Sequence, residues 1–211
     1  MTKNMIGFEP ATDSVNFDYG QNMQPAFERW ILKSRSSEDR ADIGAEEQAY
    51  VLMARAAGID MAETRLFTTR KGNRLFATKR FDRTPAGRLH MHTASGLLDA
   101  SHRESSVTYE MLHKLTWLMT RDSTEVLKMF RRMDFNVLSR NRDDHAKNHA
   151  FLMSADGQWR LSPAYDLTYS SGPGGEHSAD LAGEGRAPDT SHMLQVAKAA
   201  QAMVDEKCGQ R

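Results

Sequence analysis

Disulfide chemistry is excluded first. The 211-residue chain has a single cysteine, Cys208, in its polar C-terminal tail, so no intrachain bridge can form. A lone thiol suits a reducing compartment, and a cytoplasmic location is expected. Long apolar runs are also lacking, and the N-terminus has no signal-peptide core, so no membrane partner is expected. Neither sign of charge is in excess. The 28 Lys and Arg balance 28 Asp and Glu, which removes any bulk pull toward nucleic acid, and direct nucleic-acid binding is not expected. There are no internal repeats, which excludes a solenoid. Ser171-Gly172-Pro173-Gly174-Gly175 reads as a flexible loop, and no strand-to-helix context makes it a phosphate cradle. A chain of this length holds one domain of two small lobes.

What is present concentrates in one stretch. Asn141-Arg142-Asp143-Asp144-His145-Ala146-Lys147-Asn148 is followed eighteen positions later by Tyr165-Asp166. An Asp, an Asn five residues on, and a further Asp beyond a short stretch form the layout of a protein-kinase-like site. There the first carboxylate orients and deprotonates a hydroxyl, while the Asn and the second Asp hold Mg²⁺ on nucleotide phosphates. Such residues are also ordinary loop formers, and a short motif alone would not decide between the two.

Local context supports the chemical reading. Residues 148–153 and 158–162 are short apolar-rich runs separated by Ser154-Ala155-Asp156-Gly157, a hairpin-turn signal. A hairpin would return Asp166, just beyond Pro163, to the neighbourhood of Asn148, within about one strand spacing plus a loop. Asn148 and Asp166 are hard oxygen ligands of the kind Mg²⁺ accepts. His145 stands either beside a nucleotide or beneath the loop as a hydrogen-bonding partner. Lys147 faces either a transferred phosphate or solvent.

Helical periodicity leads into this loop. Val107, Met111, Leu112, Leu115 and Leu118 form a stripe over 106–120, and Asp122-Ser123-Thr124-Glu125 is a candidate capping box. Val126, Leu127, Phe130, Met133, Val137 and Leu138 then recur at helical spacing and are expected in the core. Upstream, Ala45 to Ala57 is rich in helix formers and stops at Gly58. Strands are expected around 65–69 and 74–81, with a turn at Lys71-Gly72-Asn73. Ser191 to Glu206 reads as one amphipathic helix. The polar start through Asn22, the 170–189 stretch and the last residues are the expected mobile segments.

Asp143-Asp144-His145-Ala146-Lys147-Asn148, Ser162-Pro163-Ala164-Tyr165-Asp166-Leu167 and Ala182-Gly183-Glu184-Gly185-Arg186 closely resemble the HipA family of bacterial toxin kinases. The similarity runs from about Phe27 to about Asp189. It implies an α+β fold with a protein-kinase-like two-lobe core, a small β-rich N-terminal part and a mostly helical C-terminal part. The corresponding division is a polar segment 1–24, an N-lobe with hinge over 25–83, a helical lobe over 84–190, and a helix and tail over 191–211. The resemblance implies a serine/threonine kinase using ATP and Mg²⁺, and the toxin half of a toxin-antitoxin pair. Its partner would be a helix-turn-helix antitoxin and its substrate a protein; aminoacyl-tRNA synthetases are among the family's targets. Asp143 would be the catalytic base, and Asn148 with Asp166 the metal ligands. His145 and Tyr165 would neighbour the nucleotide, and Lys33 would grip the phosphates, with Glu47, or Glu46 next to it, as its partner. Lys79 to Arg83 would be the hinge that binds adenine, which makes Lys79 and Phe81 cofactor neighbours.

The sequence departs from that family in one respect. Kinases cover the phosphates with a glycine-rich loop ahead of the strand lysine, and before Phe27 there are only Gly7 and Gly20, far apart. An impaired kinase retained as a binding module is therefore the second reading. A Mg²⁺-dependent phosphohydrolase using the same acidic cluster is the third.

Overall fold

The computed structural model describes residues 1–17, 24, 26–36, 39–100 and 107–208, without the side chains of 207 and 208. Gly20, Asn22 and Ser106 lie outside the described residues, as does the Cys208 side chain.

The chain opens with β1 (Thr2–Glu9), β2 (Ser14–Asn16) and β3 (Glu28–Ser34), followed by helix α1 (Ile43–Ala56), β4 (Thr64–Thr68) and β5 (Arg74–Lys79). These strands form one antiparallel sheet in the order β2-β1-β3-β5-β4. Alternation sends Ile6, Phe8, Trp30, Leu32 and Ala77 to one buried face. Phe8 meets Trp30 edge to face at 5.6 Å and Phe67 at 5.1 Å. β1 and β4 are separated by two strands, about 14 Å across a flat sheet. The Phe8–Phe67 contact therefore requires the sheet to curl strongly. Residues 2–9, read above as part of a polar segment, supply one of its central strands. Only Ile6 and Phe8 are large inward-facing side chains there, too few for a strong alternation signal.

Lys3, Met5, Ile31, Lys33, Phe76 and Thr78 share the opposite face, and α1 covers part of it through Val51 and Ala54 against Phe76. This close approach depends on Gly44. A Cβ there would lie 2.7 Å from the Arg74 carbonyl oxygen and 3.2 Å from the Phe76 nitrogen. Gly58, at φ 76°, lets the chain leave the helix in the left-handed conformation.

The short ladder β6 (Arg83–Thr84) and β7 (Gly87–Arg88) leads to β8 (His90–Thr93) and the one-turn helix α2 (Ala94–Leu97). Helices α3 (Tyr109–Thr120) and α4 (Ser123–Leu138) precede β9 (Ala150–Met153) and β10 (Trp159–Leu161); α5 (Thr190–Cys208) follows. β10, β9 and β8 form a second antiparallel sheet. Gly157, at φ 82°, turns the β9–β10 hairpin.

Tyr109, Leu112, Leu115, Met129, Met133, Phe151, Leu181 and Val196 make the core of this helical part. The expected stripe needs correction. Met111, Leu118, Leu127 and Leu138 are exposed, and the buried line instead uses Tyr109, His113, Thr116 and Trp117 with Leu112 and Leu115. The capping box is also half formed. Asp122 accepts the Thr124 amide at 2.8 Å, but the Glu125 carboxylate is buried and accepts the Leu161 amide at 2.7 Å. That contact ties α4 to β10.

Candidate active site

Lys33 is the centre of the site. It is an inward-facing residue of β3, 5 % exposed, and its Nζ donates to Glu47 Oε1 of α1 at 2.9 Å and to Asp166 Oδ1 at 2.6 Å. Burial alone would lower the Lys33 pKa, but the two carboxylates outweigh it and raise it above the ordinary lysine value. Glu47, 3 % exposed, goes up because burial outweighs the pull of Lys33. It is Glu47, not Glu46, that faces the lysine; Glu46 pairs with Arg40 on the outer side at 3.8 Å.

Asp166 carries a second cation. Lys3 Nζ lies 2.7 Å from its Oδ2, and burial, which would raise the Asp166 pKa, is overcome by Lys33 and Lys3, which hold it at about 2. Lys3 stands directly opposite Lys33 in the β1–β3 ladder. Two like charges facing across a ladder repel unless an anion is shared between them, and Asp166 supplies that anion. Its backbone is left-handed at φ 55°, a costly conformation for a residue with a Cβ. Leu167, buried against Phe135 and Val51, and a 3.4 Å bond from Asn141 Nδ2 to the Asp166 carbonyl hold it there.

Lys3, Met5, Lys33, Phe81, Tyr165 and Asp166 line one cavity, and Met91 lines it as well. Phe81 and Tyr165 stack at 5.6 Å with a 38° tilt, forming an apolar wall. Tyr165 Oη donates to the Lys147 carbonyl at 2.6 Å, which ties this wall to the 143–148 loop. Lys79 contributes to the lining but spends its ammonium on Glu28 at 2.5 Å and Glu63 at 3.2 Å. Arg80 and Arg83 both pair with Asp82 at 2.6 Å, closing the 79–83 segment on itself.

The Asp143 loop is joined to the cavity wall through the Tyr165–Lys147 bond. The Asp143 side chain is 59 % exposed, and its Oδ1 lies 3.7 Å from His145 Nε2. Asn148 Nδ2 donates to the Asp143 carbonyl at 2.8 Å, which closes the loop on itself. Asn148 makes no hydrogen bond to Asp166. The hairpin brings their segments together through Tyr165 and Lys147. Lys33, Glu47 and Asp166 thus meet directly, Phe81 and Tyr165 meet each other, and Asp143, His145 and Asn148 form a neighbouring set.

Among the described residues no three His, Cys, Asp or Glu side chains are placed together to hold a metal ion. Mg²⁺ does not require that. It keeps several waters and takes one or two protein oxygens with substrate phosphates. Asp166, kept ionised at a pKa of about 2 with Lys3 and Lys33 on its two oxygens, would supply one such oxygen, and the Asn148 amide oxygen would be the other.

Two features were missed by the sequence reading. Lys3 could have been found only from strand pairing, because nothing local marks it. Asp144, fully buried, is the other. The 170–186 stretch, expected to be mobile, is hydrogen-bonded along the loop. Ser170 pairs with Arg140 and Arg142 through backbone bonds of 3.1 and 3.3 Å, and the Ser178 amide reaches the Arg142 carbonyl at 3.1 Å. Arg142 Nη2 donates to the Arg186 carbonyl at 2.9 Å.

A curled five-stranded sheet with one helix, joined to a helical part by a cleft that holds a lysine–glutamate pair, is a protein-kinase-like fold. Solved structures agree on that fold. The chain is similar to a HipA chain from the Shewanella oneidensis MR-1 toxin-antitoxin complex of HipA, HipB and operator DNA. The match has a TM-score of 0.69 and 17 % identity, and covers 98 % of this chain and 57 % of that one. It is also similar to the Helicobacter pylori proinflammatory kinase CtkA, with a TM-score of 0.52 and 16 % identity, over 66 % of this chain and 50 % of that one. The family described as HipA-like C-terminal domain matches residues 7–210, and the chain belongs to it. The Sinorhizobium fredii (strain NBRC 101917 / NGR234) protein named "Putative kinase Y4dM" is 29 % identical over 151 residues, 65 % of this chain and 36 % of that protein. The chain thus spans about a third of that relative and little more than half of the solved chains.

Proposed function

We propose that the chain is a HipA-type serine/threonine kinase that transfers the γ-phosphate of ATP to a protein hydroxyl. The observation that carries this reading is Lys33, buried between Glu47 and Asp166 at 2.9 and 2.6 Å and lining a cavity walled by Phe81 and Tyr165. In this proposal the cleft lies between a β-rich lobe over 25–83, extended by β1, and a helical lobe over 84–190, on which α5 packs against α3 and α4.

The aromatic and methionine walls take the adenine, and backbone groups of 79–83 face its polar edge. Lys33 and Lys3 donate to the phosphates as point charges on long stems. Glu47 keeps Lys33 extended from the strand. Asp143, exposed on its loop, accepts the proton of the incoming hydroxyl as that oxygen bonds to the γ-phosphorus. The bond from that phosphorus to the β-phosphate oxygen breaks, and ADP leaves with the electron pair. His145 steadies the Asp143 carboxylate. Asn148 and Asp166 would hold Mg²⁺, which when bound neutralises phosphate charge.

The protein substrate is unassigned by the cleft; family likeness favours an aminoacyl-tRNA synthetase. A helix-turn-helix antitoxin is the proposed partner, since the Shewanella neighbour was solved with HipB and DNA. The test is transfer of label from γ-labelled ATP to protein, with Asp143→Asn as control. Transfer is expected in the parent and absent in the variant, and the variant's melting temperature should be unchanged because an exposed loop carboxylate contributes little to packing. Equal transfer in both would remove Asp143 from the role of base. Release of inorganic phosphate from simple esters, without transfer, would favour a hydrolase.

A further inference from the structure

Beneath the exposed face of the loop, one line of buried hydrogen bonds joins the residue next to the proposed base to the proposed metal ligand. Asp144 is fully buried and uses both oxygens. Oδ2 accepts from Tyr109 Oη at 2.7 Å and pairs with His177 Nδ1 at 2.8 Å. Oδ1 accepts the Ser178 amide at 2.8 Å and the Ala179 amide at 3.3 Å. The line continues from Tyr109. Its hydroxyl accepts from Asn136 Nδ2 at 2.9 Å, and Asn136 Oδ1 accepts from Asn141 Nδ2 at 2.9 Å. The same Asn141 nitrogen reaches the Asp166 carbonyl at 3.4 Å. Tyr109, Asn136 and Asn141 are each no more than 1 % exposed.

Each member has a direction fixed by its neighbours. The Tyr109 hydroxyl has one proton, given to Asp144, and so must accept from Asn136; this sets the Asn136 amide and hence its acceptance from Asn141. Even a well-bonded buried polar network is often no more stable than an apolar core of the same volume, so its presence here needs a reason. Its ends supply one. Asp143 is bonded in sequence to Asp144, and the carbonyl of Asp166, whose backbone is left-handed, accepts from Asn141.

Resting on the kinase reading above, we infer that Tyr109, Asp144, Asn136 and Asn141 are positioning residues that set the spacing between the Asp143 loop and Asp166. His177 and Ser178 clamp the 176–186 segment to the same point. None of the four touches the reacting atoms.

The test is Tyr109→Phe, which removes one oxygen and keeps the ring. Its first readout, independent of any activity, is amide hydrogen exchange in the nucleotide-free chain. Exchange across 141–148 and 166–168 should quicken at least about tenfold, while β9 and the middle of α3 keep their protection. The second readout is labelled-phosphate transfer together with MgATP affinity. A misplacement of about 1 Å can cost about a hundredfold in rate, so kcat should fall about tenfold or more while the affinity stays within about twofold. Asp144→Asn, which retains the Oδ1 contacts, should reproduce the kcat loss in milder form. Unchanged exchange in the loop would overturn the inference whether or not the parent transfers phosphate. So would a loosened loop with unaltered kcat, or affinity and kcat falling together with global protection. A parent chain that transfers nothing, with the exchange change still seen in Tyr109→Phe, would count against the kinase reading alone and leave the tether standing.

Discussion

Replacing Lys33 with methionine keeps most of the side-chain volume and removes one ammonium from between two carboxylates. Glu47 Oε1 at 2.9 Å and Asp166 Oδ1 at 2.6 Å would then face each other with only Lys3 in reach, on the outer oxygen of Asp166. Breaking a buried ion pair by removing one partner costs about 3–5 kcal/mol. Asp166 is 21 % exposed and keeps Lys3, so the lower end, about 3 kcal/mol, applies. For a chain of this size that is a melting-temperature drop of roughly 6–12 °C. Glu47→Gln in the same background removes the stranded charge and should recover about 1–2 kcal/mol. The deficit should also shrink toward about pH 5. Without Lys33 the folded-state pKa values of both buried acids rise above their unfolded values, so the variant gains relative stability as they protonate and loses it as pH rises. Urea and thermal unfolding of the parent, the variant and the double variant at two pH values measure all three quantities. A melting temperature within about 2 °C of the parent at neutral pH would refute the claim that Lys33 is held in a buried ion pair.

Two further predictions concern the frame of the site. His149 is fully enclosed beside Tyr109, and burial first, then the nearby Arg132, push its pKa down to about 4. A histidine with a depressed folded pKa contributes stability that is complete above its unfolded value of about 6.5 and lost as pH falls toward 4. The loss should reach about 2 kcal/mol near pH 5. His149→Phe should flatten that part of the stability curve, and an unchanged slope would show that another group titrates there. Gly44→Ala should cost about 1–3 kcal/mol by pushing α1 off β5, and it should weaken MgATP binding because Glu47 rides on α1. Calorimetry of a correctly folded variant with parental affinity would contradict that coupling.

How legible the molecule was depended on whether a feature is local. The β9–β10 hairpin is announced by Asp156-Gly157, and α4 runs to Leu138 as its periodicity says. α1 starts at Ile43 and ends at Ala56, two positions and one position from the expected limits. The buried face of α3 was misread because His113, Thr116 and Trp117 are polar or half-polar residues. His113 and Thr116 occupy core positions by bonding to carbonyls of their own helix, and Trp117 packs among Val126, Ala200 and Val204, which an apolar-residue count cannot see. β1 and Lys3 escaped because their meaning comes only from pairing with β3, thirty residues away. The pairing of Lys33 with Glu47 was reached through family resemblance, since neither residue's neighbours specify a partner. Asp144 stood in the motif beside Asp143 with no role assigned to it, yet it is the more deeply buried of the two and organises the loop from below.

The central claim is that Lys33, Glu47 and Asp166 form a nucleotide-phosphate site. It is met most directly by titrating MgATP into the folded chain by calorimetry, with Asp166→Ala as the paired variant. The account predicts saturable binding by the parent that requires Mg²⁺ and vanishes in a variant still folded by its melting curve. Equal binding by both proteins, or none by a folded parent, would contradict it.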